Sequence, residues 1–476
     1  MPLRPERSVV PAWIMATALT AIGWWLGSGT HPVWWITWLA PVPVLWLASR
    51  VRTRWAVASA FLAMAIGSGN LWSYMHGHIG LPFGVVVFAM LWPGVIFALC
   101  VLLHKRLLRR GRVVAAALAV PVTWVALAFF NSLISPHGTF FDIAYTQMDA
   151  LAVIQLAAIT GIWGIGALML FVATAVALLS ASQANARTRR ALAGSALLLL
   201  VIVLGFGIWR LAAPSTSQAR VGLIALDQTG KPVAIDSPEG QARQDRYLAA
   251  LGRAVDQGAQ IAVLPEGIFA AGASIPAFAE FAQQHSMTVD VGVNLQEDHG
   301  VERNTAMVFQ PGAVSPAMHH KHHLIPGFES RFTPGNTFQM LTGAPRIGLA
   351  ICKDMDFQDF SKAYGQRNAQ LLLVPAWDFV EDGWLHSRMA IMRGVEGGFA
   401  VARAARSGRL TLSDDRGRVV AEASSEQDDA ERVANLPLRE TQTLYARWGN
   451  WFAWLDVVAL LALLGMAVAP TFHRSR

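Results

Sequence analysis

Cysteine and charged residues are scarce in this sequence of 476 residues. Of its two cysteines, Cys100 lies inside a long apolar segment, so a structural disulfide with Cys352 is not expected. Charged residues make up 14% of the chain, against about 25% in soluble domains, which excludes a soluble protein over the whole length. Heptads, low-complexity tracts and repeats of roughly 20–50 residues are absent, which excludes a coiled coil and a repeat array.

The shortage of charge is local. Residues 1–213 are mostly apolar, residues 214–449 have the composition of a soluble domain, and residues 450–476 begin with another apolar stretch. A helix needs about 20 apolar residues to cross a bilayer. The sequence therefore predicts a helical membrane domain, a soluble domain and a final spanning helix with a short tail. Eight spanning helices are predicted, near residues 11–29, 32–49, 55–75, 83–103, 113–133, 155–180, 191–212 and 450–469.

Basic residues alternate between the predicted loops and give the bundle an orientation. Lys and Arg collect in cytoplasmic loops near the ends of spanning helices. Every second gap is basic, whereas the gaps near residue 30, at 76–82 and at 134–150 contain neither Lys nor Arg. Both termini are therefore predicted to be cytoplasmic and residues 214–449 extracytoplasmic. Because these basic residues also meet lipid headgroups, the net charge of +7 requires no nucleic-acid partner. The basic residues that give this orientation are Arg4, Arg7, Arg50, Arg52, Arg54, Lys105, Arg106, Arg109, Arg110, Arg112, Arg187, Arg189, Arg190, Arg474 and Arg476.

The polar part of the chain alternates short β-rich runs with helical patterns. Such alternation predicts a layered α/β domain, and its roughly 220 residues are enough for a full core. The predicted strands are Val221–Leu226, Gln260–Leu264, Thr288–Val293, Ala306–Gln310, Arg346–Cys352, Leu371–Pro375 and Phe399–Ala405, and the clearest helices are 239–257, 276–285 and 384–396.

Three reactive side chains stand out in this domain. Glu266 and Cys352 each end an apolar run, and Lys321 lies in a histidine-rich loop. Active-site groups of α/β folds gather beyond the carboxyl ends of strands, so the three side chains are expected to converge. A carboxylate can serve as the base for a thiol, and a fixed ammonium can stabilise the oxyanion formed when the thiolate attacks a carbonyl. The set therefore predicts acyl-transfer chemistry.

Each of these residues also has an ordinary structural interpretation. Cys352 fits an inert buried position, Glu266 a helix N-terminus, and Lys321 a solvated loop. Histidines at adjacent positions cannot all reach one ion, and no Cys or carboxylate completes a known spacing, so neither a metal nor a cofactor is expected. The histidines are His319, His320, His322 and His323. The apolar run 267–278 and the aromatic residues Trp377, Phe379 and Trp384 fit either a membrane-facing lid or core packing.

Several motifs resemble the nitrilase (carbon–nitrogen hydrolase) superfamily. They are Leu264-Pro-Glu266, His320-Lys321-His322 with Pro326, Gly348-Leu-Ala-Ile-Cys352 and the helix Arg388–Glu396. The resemblance implies an αββα sandwich with a Glu–Lys–Cys triad. By this resemblance Glu266 is the general base, Lys321 the oxyanion-stabilising lysine and Cys352 the nucleophile, and Glu329 is a supporting second glutamate.

Over nearly its whole length the chain is similar to one branch of that superfamily, the apolipoprotein N-acyltransferases. The order of seven helices, outer domain and last helix is the same, and Gly138–Gln147 resembles the branch's outer loop. The resemblance implies a bacterial inner-membrane enzyme with a phospholipid acyl donor, a thioester on Cys352 and a diacylglyceryl-cysteine lipoprotein as acceptor. Nothing in the sequence requires more than a monomer.

Two other functions remain open from the residues. One is a membrane-anchored amidase or nitrilase that uses water as the acceptor. The other is a non-catalytic or transporter-like membrane protein, although its helices have few of the internal charges that mark a transport path.

The chain also departs from the branch beside the nucleophile. It has Cys352-Lys353-Asp354 in place of Cys-Tyr-Glu, and Ala376-Trp377-Asp378-Phe379 in place of an Asn/Asp-rich Trp-Phe motif. We therefore expect Lys353, Asp354 and Trp377 to be substrate-binding residues that differ from those of the branch.

Overall fold

The computed structural model describes residues 10–226 and 231–469, which form two compact units. The first unit contains residues 10–133, 141–209 and 450–469, and the second contains residues 134–140, 210–226 and 231–449. The short segment 134–140 thus falls in the second unit, although the sequence placed it in the membrane domain. Among the residues used for topology, Arg4, Arg7, Arg474 and Arg476 lie outside the described residues.

The first unit is helical. Its helices are α1 (Val10–Gly27), α2 (Trp34–Leu39), α3 (Val42–Ala48), α4 (Thr53–Gly67), α5 (Phe83–Arg109), α6 (Val113–Ile134), α7 (Leu151–Ile154), α8 (Ala157–Thr160), α9 (Ile162–Leu178) and α10 (Ala186–Leu211), and the chain returns to it in Trp451–Val468. Within the described ranges, five helices are long and apolar enough to cross a membrane, namely α1, α5, α6, α10 and Trp451–Val468.

The predicted spans 32–49, 55–75 and 155–180 are not continuous α-helices. Pro41 separates α2 from α3, because proline has no backbone N–H to continue the helix. Gly161, at φ 66°, separates α8 from α9. After α4 the chain tightens into a 3₁₀ turn and then widens into a π-helical turn at Ser73–His78. These three predicted spans are therefore interrupted, and the count of eight spanning helices stays a prediction.

The second unit contains thirteen strands and five helices among its described residues. In chain order they are β1 (Ser217–Ala225), β2 (Val233–Ala234), α11 (Pro238–Asp256), β3 (Ile261–Val263), β4 (Phe269–Ala271), α12 (Pro276–His285), β5 (Thr288–Gln296), β6 (Glu302–Phe309), β7 (Ala317–His320), β8 (Ile347–Leu349), α13 (Gln358–Gln366), β9 (Leu371–Trp377), α14 (Gly383–Gly397), β10 (Ala400–Arg406), β11 (Arg409–Ser413), β12 (Val419–Ser424), β13 (Ala430–Leu438) and α15 (Leu444–Trp448).

The strands form two sheets between two layers of helices. One sheet has the order β13-β1-β3-β5-β4-β2, with β6 and β7 added beyond β5, and the other has the order β12-β11-β10-β9-β8. Their facing sides form one apolar core, which includes Val263 and Leu373. The outer face of the first sheet packs against α11 and α12, and that of the second against α13 and α14. This is the αββα sandwich that the resemblance implied.

All seven predicted strands and all three predicted helices of this unit are present within a few residues of their expected ends. One difference matters for function. The strand β8 ends at Leu349, and Cys352 opens a 3₁₀ turn that runs to Asp356. Cys352 has φ 41°, a conformation uncommon for a residue with a side chain and often found at functional sites. Because Cys352 is the predicted nucleophile, we call Cys352–Asp356 the nucleophile turn.

Candidate active site

The ends of four strands bring the predicted residues together. Glu266 follows β3, and its N–H donates to the Ala376 carbonyl near the end of β9 at 3.3 Å. The Cys352 thiol, just after β8, donates to the carbonyl of Trp377 at 3.5 Å. Lys321 follows β7 directly, and its N–H donates to the Asn304 carbonyl of β6 at 2.8 Å. The structure therefore brings Glu266, Lys321 and Cys352 to the ends of neighbouring strands, as expected.

A buried charge cluster forms the floor of this site. The Lys321 ammonium donates to Glu266 Oε1 at 2.8 Å and to Glu329 Oε1 at 3.0 Å. The Asn304 amide donates to the same two oxygens, at 2.5 and 2.7 Å. The backbone N–H of Ile325 donates to the second oxygen of Glu329 at 2.7 Å. Lys321 is 1% exposed and Glu266 4%, so this ion pair is held in a site of low water content.

The electrostatic balance keeps Lys321 charged. Burial alone lowers the pKa of Lys321, but the charges of Glu266, Cys352 and Glu329 oppose it and raise that pKa well above its ordinary value. A charged ammonium held at a fixed position beside a carboxylate matches what stabilisation of an oxyanion requires.

The Cys352 thiol is protonated at rest. Burial, followed by the negative charge of Glu266, raises the pKa of Cys352 well above its ordinary value, while Lys321 and Arg403 lower it. The thiol therefore needs a base to become a nucleophile, and Glu266 interacts with it electrostatically.

Asp354 joins the nucleophile turn to the histidine-rich loop that contains Lys321. One of its carboxylate oxygens accepts from the backbone N–H groups of His322 and His323, both at 3.0 Å. The other accepts from the Ile351 N–H at 3.0 Å and lies 3.2 Å from His319 Nε2. Asp354 is 0% exposed. Although it was predicted to bind substrate, this geometry favours a role in fixing the two loops to each other.

Removing the Asp354 carboxylate is expected to destabilise the second unit. Asp354→Ala leaves buried N–H donors without an acceptor, which should lower the free energy of unfolding by about 3–5 kcal/mol. Asp354→Asn retains one acceptor oxygen, so its free energy of unfolding should fall by about half as much. Denaturant unfolding of the full-length protein in detergent measures the effect. As a control, Asp245→Ala on the exposed side of α11 should change the free energy of unfolding by no more than about 0.5 kcal/mol. An equally small loss for Asp354→Ala would contradict the role of Asp354 in fixing the two loops to each other.

The other two predicted substrate-binding residues differ in exposure. Lys353 is 5% exposed, and its ammonium donates to His137 Nδ1 at 2.9 Å. Trp377 is 40% exposed, and the guanidinium carbon of Arg406 lies 3.5 Å from the centre of its ring. Phe328, in the loop that carries Glu329, is 53% exposed. Trp377 and Phe328 are thus exposed apolar side chains on segments that also carry backbone or side-chain groups of the site.

A second charge network also interacts electrostatically with the thiol, through Arg403 and Asp378. Arg403 donates to both oxygens of Asp378, at 2.9 and 2.5 Å. His386 Nδ1 lies 3.1 Å from Asp382 Oδ2, and although burial opposes it, Asp382 raises the pKa of His386 to about 9. Asp378, Asp382 and His386 offer ligand atoms within 4.8 Å of one another, as a metal site would. Because Arg403 already pairs with Asp378, we assign this trio to holding the loop after β9.

Sequence reasoning missed several residues of this site. Asn304 was not singled out, because it lies in the polar first half of β6, two residues before the start of the predicted strand Ala306–Gln310. Arg403 lies inside a buried strand, where an unpaired charge is rare. Its position in the sequence therefore indicated a buried acidic partner. His137 had no such signal, because it lies 216 residues before Lys353.

Comparison with known proteins gives two family matches in different parts of the chain. Residues 220–447 match the carbon-nitrogen hydrolase family, and residues 20–175 match the N-terminal domain of the apolipoprotein N-acyltransferases. The two matches follow the division into a helical unit and an αββα unit.

Curated relatives agree with both matches. An apolipoprotein N-acyltransferase of Geobacter metallireducens is 26% identical over 82% of this chain and 80% of its own length. One from Gloeobacter violaceus is 28% identical over 66% of each chain. The omega-amidase NIT2 of Bos taurus is 30% identical over 38% of this chain and 79% of its own length. The chain therefore belongs to the nitrilase (carbon–nitrogen hydrolase) superfamily, as a divergent member similar to the apolipoprotein N-acyltransferases.

Proposed function

We propose that this protein is an N-acyltransferase. In this proposal Cys352 accepts a fatty acyl chain from a membrane phospholipid and passes it to the N-terminal amine of a diacylglyceryl-cysteine lipoprotein. The strongest support is that one chain joins the N-terminal domain of the apolipoprotein N-acyltransferases to a carbon–nitrogen hydrolase domain. The buried Glu266–Lys321–Glu329 cluster beside a protonated thiol supports the chemistry.

The first half-reaction makes a thioester. Glu266 takes the thiol proton, and the thiolate of Cys352 attacks the ester carbonyl of the donor. The resulting oxyanion is stabilised by the Lys321 ammonium, which is paired with Glu266 and interacts electrostatically with Cys352. Collapse of this intermediate breaks the bond to the glycerol oxygen, which leaves with the proton held by Glu266.

The second half-reaction makes an amide. The uncharged α-amine of the acceptor attacks the thioester carbonyl, and Glu266 takes the proton that the amine loses. Lys321 again stabilises the oxyanion, and the carbon–sulfur bond breaks to give the amide and the Cys352 thiolate, which recovers the proton from Glu266. An ester is exchanged for an amide through a thioester, so atoms and charges balance without a nucleotide or a redox partner.

The same proposal includes the membrane context. We infer a bacterial inner-membrane protein with eight spanning segments, cytoplasmic termini and an extracytoplasmic catalytic domain, supported by the alternation of basic loops and the apolar helices. The exposed rings of Trp377 and Phe328 suit contact with an acyl chain, and we expect the protein to act as a monomer.

An acyl adduct on Cys352 tests the proposal. Full-length protein incubated with labelled phospholipid should carry one acyl chain on the peptide that contains Cys352, detected by mass spectrometry. Cys352→Ala should abolish the adduct, whereas Cys100→Ala, in α5, should retain it. A diacylated lipopeptide with a free N-terminus should then clear the adduct and become triacylated. Folded wild-type protein without any adduct would contradict the proposed function.

A second candidate is amide hydrolysis with water as the acceptor. The match to the omega-amidase NIT2 over the αββα domain favours it specifically. This candidate predicts turnover of soluble amides without phospholipid, and no transfer to a lipopeptide. An incubation with a soluble amide in place of the phospholipid separates the two, because an amidase releases the free acid, whereas the acyltransferase triacylates the lipopeptide only when phospholipid is present.

A further inference from the structure

The segment Ile134–Phe140 packs directly on the nucleophile turn. Thr139 donates to the Asp356 carbonyl twice, from its N–H at 3.0 Å and from its hydroxyl at 2.7 Å. The Phe140 ring stacks on His386, with centroids 5.1 Å apart. A Cβ atom at Gly138 would lie 2.7 Å from the same Asp356 carbonyl, so a side chain there does not fit without a shift. The segment therefore packs closely against the nucleophile turn.

His137 of this segment holds the side chain next to the nucleophile. An ammonium group has no acceptor, so Lys353 donates and His137 Nδ1 accepts, which leaves the histidine proton on Nε2. Burial, followed by the Lys353 charge, lowers the pKa of His137 to about 4. The imidazole is thus neutral at physiological pH and remains an acceptor.

The Lys353 ammonium faces several charged groups of the site. Burial lowers its pKa, Lys321 also lowers it, and Asp356, Cys352 and Glu329 raise it. Cys352 in turn faces Glu266, Lys321, Arg403 and Asp378. A positive charge held near a thiol favours the thiolate, and more so in a buried site than in water.

We propose that His137 is a positioning residue, which holds the Lys353 ammonium against the nucleophile turn so that this charge favours the thiolate of Cys352. The thiol proton still goes to Glu266, and no further reactant is needed. This inference rests on the proposed role of Cys352 as the nucleophile. It gives Lys353 an electrostatic role, in place of direct contact with substrate.

The test measures the reactivity of Cys352 without any lipid. Full-length protein in detergent is treated with iodoacetamide between about pH 6 and 9, and alkylation of the Cys352 peptide is followed by mass spectrometry. Both His137→Leu and Lys353→Met should slow alkylation at pH 7 by roughly 3- to 10-fold and move the profile to higher pH. His137→Gln retains an acceptor and should stay within about twofold of wild type. Lys362→Met, an exposed lysine on α13, is the control and should have no effect.

Two results would overturn the positioning role. One is an alkylation profile of Lys353→Met that equals the wild-type profile. This comparison tests the proposal even if His137→Leu fails to fold. The other is a His137→Gln variant that is as slow as His137→Leu, because the hydrogen-bond acceptor would then be irrelevant. An absent acyl adduct in the wild-type protein would instead contradict the proposed function, so the two failures are distinguishable.

Discussion

Replacing Glu266 by glutamine is expected to slow acyl transfer by about 10²–10⁴-fold, the usual contribution of a positioned general base. Glutamine has the size of glutamate, and its amide oxygen can still accept from Lys321 and Asn304 as Glu266 Oε1 does. It cannot take the proton of the Cys352 thiol, whose pKa is raised by burial and by Glu266 itself. The step that should fail is therefore formation of the thioester.

Two measurements separate an effect on chemistry from an effect on folding: the rate of adduct formation on Cys352 and the midpoint of thermal unfolding. We expect the midpoint of Glu266→Gln to stay near that of wild type while adduct formation falls. Glu280→Gln, an exposed residue of α12, should leave both unchanged. If Glu266→Gln formed the thioester at the wild-type rate, another group would have to be the base.

The layered domain was predictable from the sequence because its strands are short apolar runs between turn residues. The helical unit was less predictable, since a proline in an apolar segment has more than one outcome. The helix α5 continues through Pro93, whereas Pro41 lies between α2 and α3. Whether the helix breaks depends on which neighbours satisfy the freed carbonyl groups, and a single sequence does not specify them.

Glu266 and Cys352 could be found because each one follows an apolar strand, and Lys321 because it lies among four histidines. Their partners could not, because strand register and distant segments bring them into place. Asn304 reaches Glu266 because β6 pairs with β5 so that Asn304 is opposite Asn294, and His137 reaches Lys353 from 216 residues away. The role of Asp354 was hidden for the same reason, since its partners are backbone groups of another loop.

Replacing Lys321 by methionine is expected to remove both activity and much of the stability of the second unit. The ammonium lies between Glu266 and Glu329, and its side chain is fully buried. Without it, two carboxylates remain together in a buried site with no cation in contact, which typically costs about 3–5 kcal/mol. Oxyanion stabilisation is lost as well, so adduct formation on Cys352 should fall by about 10²–10³-fold. Denaturant unfolding in detergent and the adduct assay measure the two effects, with Lys362→Met as the control.

A second substitution distinguishes charge repulsion from simple loss of packing. If the carboxylates repel each other in Lys321→Met, adding Glu329→Gln removes one charge and should recover about 1–3 kcal/mol of the lost stability. Activity should not recover, because the oxyanion partner is still missing. If instead the losses of Lys321→Met and Glu329→Gln simply add, the carboxylates do not interact through Lys321, and the charge cluster described for the site would be wrong. A recovered fold without recovered catalysis would show that Lys321 stabilises the domain by charge balance and serves the reaction by its position near Cys352.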